Sequence, residues 1–320
     1  MKTLVTGAAG FVGSHFVNSI PSEDIVALVR VNKVGNFNRI KDVGNVKCVW
    51  HDLRSPINEQ TIEEIGEVDN IIHFGAETHV DRSITNPLDF VESNLIGTFN
   101  LLEYVRKIGL KGRFIQFSTD EVFGPAKPGQ LYMEKDNQIA KNPYAATKAG
   151  AEQLVFAWAN TYGLNISIVR SMNIFGEYQN AEKFVPLCIN KILNGETIYI
   201  HSDKTKTIPG SRYYIHADDV ATGVKMVLEN GVNDTAYHCV GEKEISNLYL
   251  AQCIAGFLDR KLKYELVDFH SSRPGHDLRY ALGNVNLKER GWDVTDIFEN
   301  NLNKTVRWYL DNPVWLGAKK

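Results

Sequence analysis

Apolar residues in the first half of the chain fall into short runs separated by amphipathic stretches. Residues 2–6, 25–31, 46–51, 68–74, 113–118 and 166–169 are strand-length apolar runs. Residues 11–20, 87–108 and 143–162 read as helices instead, the first stopped near Pro21. In 87–108 the apolar positions Phe90, Val91, Leu95, Phe99, Leu102 and Val105 recur with a period of about 3.6. Strands alternating with helices of this size require crossover connections, hence a parallel sheet. Because such crossovers are nearly always right-handed, the economical layout is a doubly wound α/β fold. After about Arg170 the rhythm breaks. Helical patterns at 184–193, 247–258 and 295–310 mix with short strands at 198–201, 236–240 and 263–267 and with loops rich in Lys, Asp, Gly and Pro. The expected organisation is a first unit over residues 1–170 and a smaller α/β lobe over 171–320, from which segments can return to the first unit.

Composition narrows the classes. With 320 residues, 43% apolar and 23% charged, the chain has ample material for a core and is not disordered. Lys and Arg number 35 against 38 Asp and Glu, a net charge of −3, which offers no footprint for nucleic acid or an anionic membrane surface. No stretch approaches the roughly 20 apolar residues of a membrane span, and the first residues lack the pattern of a secretory signal. Cys48, Cys188, Cys239 and Cys253 are scattered without a Cys-x-x-Cys pair, as expected of reduced thiols in a cytoplasmic protein. The histidines (His79, His201, His216, His238, His270 and His276 among them) show no metal-ligand spacing, so no metal is expected. Trp292, Trp308 and Trp315 read as packing for the last helix and the tail.

Three constellations carry chemistry. Gly7-Ala8-Ala9-Gly10-Phe11-Val12-Gly13 fits G-x-x-G-x-x-G between the first strand and the first helix. Glycines there permit a tight turn and let a pyrophosphate reach backbone N–H groups at the positive end of a helix, the context required of a dinucleotide fingerprint. At the end of the second strand, where an acidic ribose-binding residue is expected, the chain has Arg30 and, shortly after, Lys33. A guanidinium suits a 2′-phosphate, which tilts the expected cofactor towards NADP. The alternative is that both are surface charges and NAD is held by other contacts. Asp52, after the third strand, is a candidate partner for adenine or a simple turn residue. Tyr144 and Lys148 share a helix face four residues apart, just past Pro143. An ammonium beside a phenol favours phenolate, a base for a sugar hydroxyl. Finally, Ser118-Thr119-Asp120-Glu121 closes the fifth strand, and sites in open α/β sheets form at such carboxyl ends. Of two adjacent carboxyls, one kept protonated can serve as acid and the other, ionised, as base. A solvated loop is the bland alternative.

With these motifs the chain resembles the extended short-chain dehydrogenases/reductases, and within them the nucleotide-sugar 4,6-dehydratases, most closely those acting on dTDP-glucose. The resemblance spans nearly the whole chain. It rests on the glycine turn, the runs 73–83 and 87–100, Ser118–Gly124, Tyr144 with Lys148, and 272–281. It implies an NAD(P)-binding Rossmann domain over 1–170 and a nucleotide-sugar lobe over 171–320. It further implies Tyr144 as base at O4, supported by Lys148 and Thr119, with Asp120 as acid at the C6 hydroxyl and Glu121 as base at C5. Leu53, Phe74 and Ala76 join the turn, Arg30 and Asp52 as implied cofactor contacts. Ser83 falls near the sugar. Asn173, Lys183, Arg212, Asn247, Arg273 and His276 match positions contacting the diphosphate or base, and Tyr199 and His201 lie in a stretch that encloses the base. A tightly bound NAD(P) is implied, with the family leaning towards NAD, together with a nucleoside-diphosphate hexose substrate and a homodimer through the helices 87–108 and 143–162. The chain departs from the pattern at Arg30, at Tyr199 and His201, and across Thr207–Tyr214, which leaves dTDP, UDP and GDP open. Arg30 is reminiscent of the GDP-mannose dehydratases, which use NADP. The expected reaction oxidises C4, eliminates water across C5 and C6, and returns the hydride to C6. The alternatives are a UDP-glucuronate decarboxylase, a nucleotide-sugar 4-epimerase, or a non-catalytic NAD(P)-sensing protein.

Overall fold

Apolar runs without a polar alternation need cover on both faces, and the main sheet provides it. The computed structural model describes residues 1–30, 37–42, 44–268 and 278–317. The chain begins β1 (Thr3–Thr6), α1 (Phe11–Asn18), β2 (Ile25–Val29), β3 (Lys47–Trp50), α2 (Glu59–Ile65), β4 (Asn70–His73), α3 (Val80–Thr85), α4 (Pro87–Phe90), α5 (Gly97–Ile108), β5 (Phe114–Thr119), α6 (Pro143–Tyr162) and β6 (Ile166–Ser171). It continues β7 (Ile174–Phe175), α7 (Phe184–Leu193), β8 (Ile198–Ser202), β9 (Ser211–Arg212), β10 (Ile215–His216), α8 (Ala217–Asn230), β11 (Thr235–Cys239), β12 (Ile245–Ser246), α9 (Asn247–Phe257), β13 (Tyr264–Asp268) and α10 (Phe298–Asp311).

Seven strands form one sheet in the order β11-β6-β5-β4-β1-β2-β3, parallel throughout. The winding direction reverses between β1 and β4, and the crevice outside the strand ends at such a switch point is where α/β folds bind ligands. On one face Phe16 and Val17 of α1 and Val220, Val224 and Val227 of α8 pack on Val5, Ile72 and Val169. On the other, Leu101, Leu102 and Val105 of α5 and Val155 of α6 pack on Leu4, Ile71 and Ile168. A second core joins α7, α9 and α10 through Ile189, Ile254 and Val306. No helix among the described residues is long and apolar enough to cross a membrane.

The structure differs from the sequence pattern in two places. The segment 217–230, placed among loops by its pattern, is the helix α8. Strand β11, from beyond residue 171, is hydrogen-bonded to β6 as the seventh member of the main sheet, a returning segment of the kind the sequence allows. The second difference lies in the first half of the chain. The helix expected over 87–108 widens into a π-helical stretch, Val91–Ile96. That widening accompanies an inward Asn94: its side chain accepts from Glu77 N–H at 2.8 Å and donates to the Glu77 carbonyl at 3.0 Å and to Thr147 Oγ1 at 3.0 Å. A π-bulge re-aims a side chain without breaking the helix. A polar knot ties α1 to the chain after β7 and to the start of α8. His15 Nδ1 lies 2.6 Å from Asp218 Oδ1, His15 Nε2 2.9 Å from the Glu177 carbonyl, and His216 Nε2 3.0 Å from Glu177 Oε2.

Candidate active site

The glycine turn is built by backbone geometry. Gly7 has φ +68°, and a Cβ there would sit 2.7 Å from the backbone N of Gly75, so only glycine lets β1 and the chain after β4 approach this closely. The turn feeds α1, whose N-terminus has neither a side-chain cap nor an acidic residue in its first turn. Its positive end is left for an anion, as a dinucleotide pyrophosphate requires. Gly7, Ala9, Gly10, Phe11, Val12 and Gly13 line a cleft of about 400 Å³ at the switch point, together with Arg30, Asp52, Leu53, Phe74 and Ala76. Ser118, Thr119, Asp120, Glu121, Tyr144, Lys148, Asn173 and Lys183 line the same cleft. Two buried atoms in its wall, Ser118 Oγ and Asp120 Oδ2, have no hydrogen-bond partner within the protein, which fits a polar ligand there. The donor set therefore suits a dinucleotide and a hydroxylated substrate side by side.

The acid–base cluster is held by short-range contacts. β5 ends at Thr119, whose hydroxyl donates to Asp120 Oδ1 at 2.9 Å and accepts from Glu121 N–H at 3.3 Å. Burial pushes the Asp120 carboxyl up to about 6, against the pull of Arg212 and the Thr119 hydrogen bond. Burial and the neighbouring Asp120 push Glu121 up to about 7, opposed by Asn142, Arg212 and Lys183. Coupled to each other and both raised by burial, the two carboxyls titrate as a pair displaced towards neutrality.

The spacing of Tyr144 and Lys148 led to the expectation of a phenol drawn down by an ammonium. The structure differs: burial, then Glu121, hold the Tyr144 phenol above its usual range, with the Thr119 hydrogen bond opposing and Asp120 adding to the rise. The Lys148 ammonium instead donates to the Phe117 carbonyl at 2.7 Å. Burial brings it down to about 8, against the pull of Glu152.

Other sequence candidates are engaged by protein partners at the edge of the cleft or lie away from it. Arg30, read as a 2′-phosphate ligand, is ion-paired with Glu77 at 2.9 Å. Asp52 is engaged by Arg54 at 2.6 Å. Ser83 is fully buried, and its hydroxyl donates to Val80 O of its own helix at 2.6 Å rather than lining the cleft. Tyr199, on β8, is exposed, with the Lys191 ammonium 5.5 Å from its ring centroid. His201 follows on the same strand, and its carbonyl accepts from Gly210 N–H. Arg212 lies over the Tyr280 ring, 4.6 Å from its centroid, and its charge reaches both acids. Asn247 starts α9 and accepts from the Tyr214 hydroxyl at 2.8 Å. Arg273, His276 and Lys33 lie outside the described residues. Two residues not singled out from sequence border the site. Glu77 engages Arg30, and Asn142 donates to Glu121 Oε2 at 2.9 Å. Only Asn142 carried a local signal, an Asn preceding Pro at a helix start.

A parallel seven-stranded Rossmann sheet with a Tyr-x-x-x-Lys helix beside its switch point defines a dinucleotide-dependent enzyme of the short-chain dehydrogenase/reductase type. Residues 3–240 match the model of the NAD dependent epimerase/dehydratase family, and the chain belongs to that family. It is 34% identical to the dTDP-glucose 4,6-dehydratase of Escherichia coli over 348 residues, 98% of this chain and 95% of that protein. It is also 36% identical over 327 residues to a trifunctional UDP-glucose 4,6-dehydratase/3,5-epimerase/reductase of Arabidopsis thaliana, covering 98% of this chain and about half (48%) of that relative. Among solved structures, a dTDP-glucose 4,6-dehydratase of Streptomyces venezuelae with NAD bound superposes with a TM-score of 0.90 at 33% identity, covering 99% of both chains.

Proposed function

We propose that this protein is an NAD(P)-dependent nucleotide-sugar 4,6-dehydratase, converting a nucleoside-diphosphate hexose to its 4-keto-6-deoxy product. The observation that carries the reading is the cluster Thr119, Asp120, Glu121 and Tyr144, sharing protons in the same cleft as the glycine turn. A bound dinucleotide supplies hydride acceptance from C4 and hydride return to C6. Tyr144 passes its own phenolic proton through the Thr119 hydroxyl to Asp120 and takes the O4 proton in its place. The C4 ketone acidifies C5–H, which Glu121 removes and returns to C5 as hydride reaches C6. Asp120, with an unpartnered buried oxygen, delivers a proton to the departing C6 hydroxyl, because hydroxide is a poor leaving group. Lys148, Lys183 and Arg212 supply positive charge for the diphosphate and the ribose.

The test is incubation with dTDP-, UDP- and GDP-glucose and GDP-mannose. One of them is expected to yield a sugar lighter by one water, with deuterium from C4 recovered at C6. A C4-inverted hexose, carbon dioxide released from UDP-glucuronate, or no turnover of any sugar overturns the reading. Glu121→Gln is expected to stall after C4 oxidation and to accumulate reduced cofactor. Absence of that signal with Tyr144 intact contradicts the assigned order.

We infer NAD rather than NADP. The Arg30 guanidinium is neutralised by Glu77, and Asp52 also feels its charge, so a 2′-phosphate would meet two carboxylates. The NAD-bound Streptomyces relative supports this. Glu77→Gln is expected to tighten NADP relative to NAD, read as dissociation constants. Wild-type protein binding NADP more tightly overturns the inference. Leu88, Val91, Ile96, Phe99 and Tyr162, all within 87–108 and 143–162, are exposed large apolar residues, which supports a homodimer through these helices. Light scattering that finds only monomer at micromolar protein contradicts it. The unpaired cysteines favour a cytoplasmic location.

A further inference from the structure

The loop from β5 to α6 leaves the acids and returns to them. Ile139 N–H donates to the Val122 carbonyl at 2.9 Å. Gly124, with φ +76°, admits this return, since a Cβ there would lie 2.6 Å from the Ile139 carbonyl oxygen. The loop ends at Asn142, the N-cap of α6. Its Oδ1 accepts from Ala145 N–H at 2.8 Å. That bond fixes the amide orientation, because a backbone N–H cannot donate to an amide nitrogen that is itself a donor. Nδ2 is thereby turned to Glu121 Oε2, 2.9 Å away. One side chain thus begins the helix that carries Tyr144 and Lys148 and also holds the second carboxylate of the acid pair.

We propose that Asn142 is a positioning residue that holds the Glu121 carboxylate as the proton acceptor of the pair and fixes it to the start of the Tyr144 helix. Charge-assisted donation stabilises the ionised form. The Asn142 donation opposes the rise that burial and Asp120 impose on Glu121, and so keeps Glu121 available as base. The other charged and titratable groups facing Glu121 are Asp120 beside it, Tyr144 on α6, Lys183 before α7 and Arg212 on β9. Asn142 is the uncharged donor among them. The proposal rests on the dehydratase reading for the identity of the C5 step, but not for its first measurement.

Asn142→Ser and Asn142→Asp both keep a favourable cap. The first is too short to reach Glu121, and the second replaces the donor with an acceptor. Both are expected to unfold at close to the wild-type denaturant midpoint. In NAD-loaded protein without sugar, the Glu121 side-chain carbon-13 resonance, assigned with Glu121→Gln, is expected to titrate at higher pH in both variants, most in Asn142→Asp. With the accepted sugar, formation of reduced cofactor is expected at the wild-type rate, while solvent exchange at C5 falls roughly 10- to 100-fold, the scale of one hydrogen bond to a charged group. An unchanged Glu121 titration in either stably folded variant overturns the proposal, as does equal slowing of oxidation and C5 exchange. If wild-type protein oxidises no nucleotide sugar, the functional reading fails and the titration alone still decides the role of Asn142. Should Asn142→Asp fail to fold, the same measurements on Asn142→Ser decide it.

Discussion

Glu152 and Lys148 lie one turn apart on α6, and each belongs to a buried charged cluster of a different kind. Around Glu152 the acceptors are met by donors. Arg170 binds it through Nε and Nη2 at 3.1 and 2.7 Å, and Gln138 donates as well. The third guanidinium nitrogen, Nη1, donates to the Glu134 carbonyl at 3.0 Å and faces His238 Nε2 at 3.2 Å, with the guanidinium stacked on Phe123. Burial and Arg170 hold His238 near about 3, so it stays neutral. One turn towards the N-terminus, Asp120, Glu121 and Tyr144 are displaced towards their protonated forms, and Asp120 Oδ2 and Ser118 Oγ lack partners. Burial alone does not distinguish frame from site. Satisfaction does: the Arg170–Glu152 cluster locks the 134–138 loop to the sheet, and the unsatisfied one is where the proposed reaction is placed.

Substitutions in the two clusters should therefore read out in different observables. The largest effect is expected for Tyr144→Phe, which removes the proposed O4 base and is expected to lower the C4 oxidation rate by about 10²- to 10⁴-fold, the range of general base catalysis, with little loss of stability. Transient kinetics of cofactor reduction measures it. Arg170→Leu is next, leaving the Glu152 carboxylate buried and alone at a cost of about 3–5 kcal/mol in denaturant unfolding. The double variant Arg170→Leu/Glu152→Leu should recover most of it. If the double variant is no better than the single, the cluster is not a self-contained pair. The smallest effect concerns pH. Glu121 is raised in the folded state, so the native protein binds more protons than the unfolded chain between about 4.5 and 7. Its contribution therefore becomes unfavourable as pH rises through that window. Glu121→Gln should stabilise the protein at about pH 8 on the order of 1–3 kcal/mol, and the gain should vanish below about pH 4.5. A Glu121→Gln variant that is destabilised at about pH 8, as Arg170→Leu is, would erase the contrast.

Local chemistry carried much of this into the sequence. The Tyr144–Lys148 face is a matter of helical spacing, and α6 runs over Pro143–Tyr162 as its pattern requires. The strand-sized runs became strands because an apolar run of that length has nowhere else to hide. Helix α8 is not legible in the local pattern because its residues, Ala217 to Asn230, carry two acidic residues in the first turn and include Thr222 and Gly223. Its apolar stripe of Val220, Val224 and Val227 makes sense only against α1 and the sheet. At Arg30 charge and position argue for a phosphate ligand, while the Glu77 carboxylate it pairs with is 47 residues away and outside any local pattern.

By itself the sequence determined what depends on neighbours along the chain: the glycine turn, the strand and helix periods, and the order in which hydroxyl and carboxyl groups leave β5. Tertiary structure decided what depends on residues distant in sequence meeting in space. It brought β11 back beside β6, turned Asn94 inward to hold the Glu77 loop, occupied Arg30 with Glu77, and aimed Asn142 at Glu121. The reason is physical. Backbone conformation and periodicity are short-range properties, whereas the ionisation and satisfaction of a buried group are set by every element packed around it.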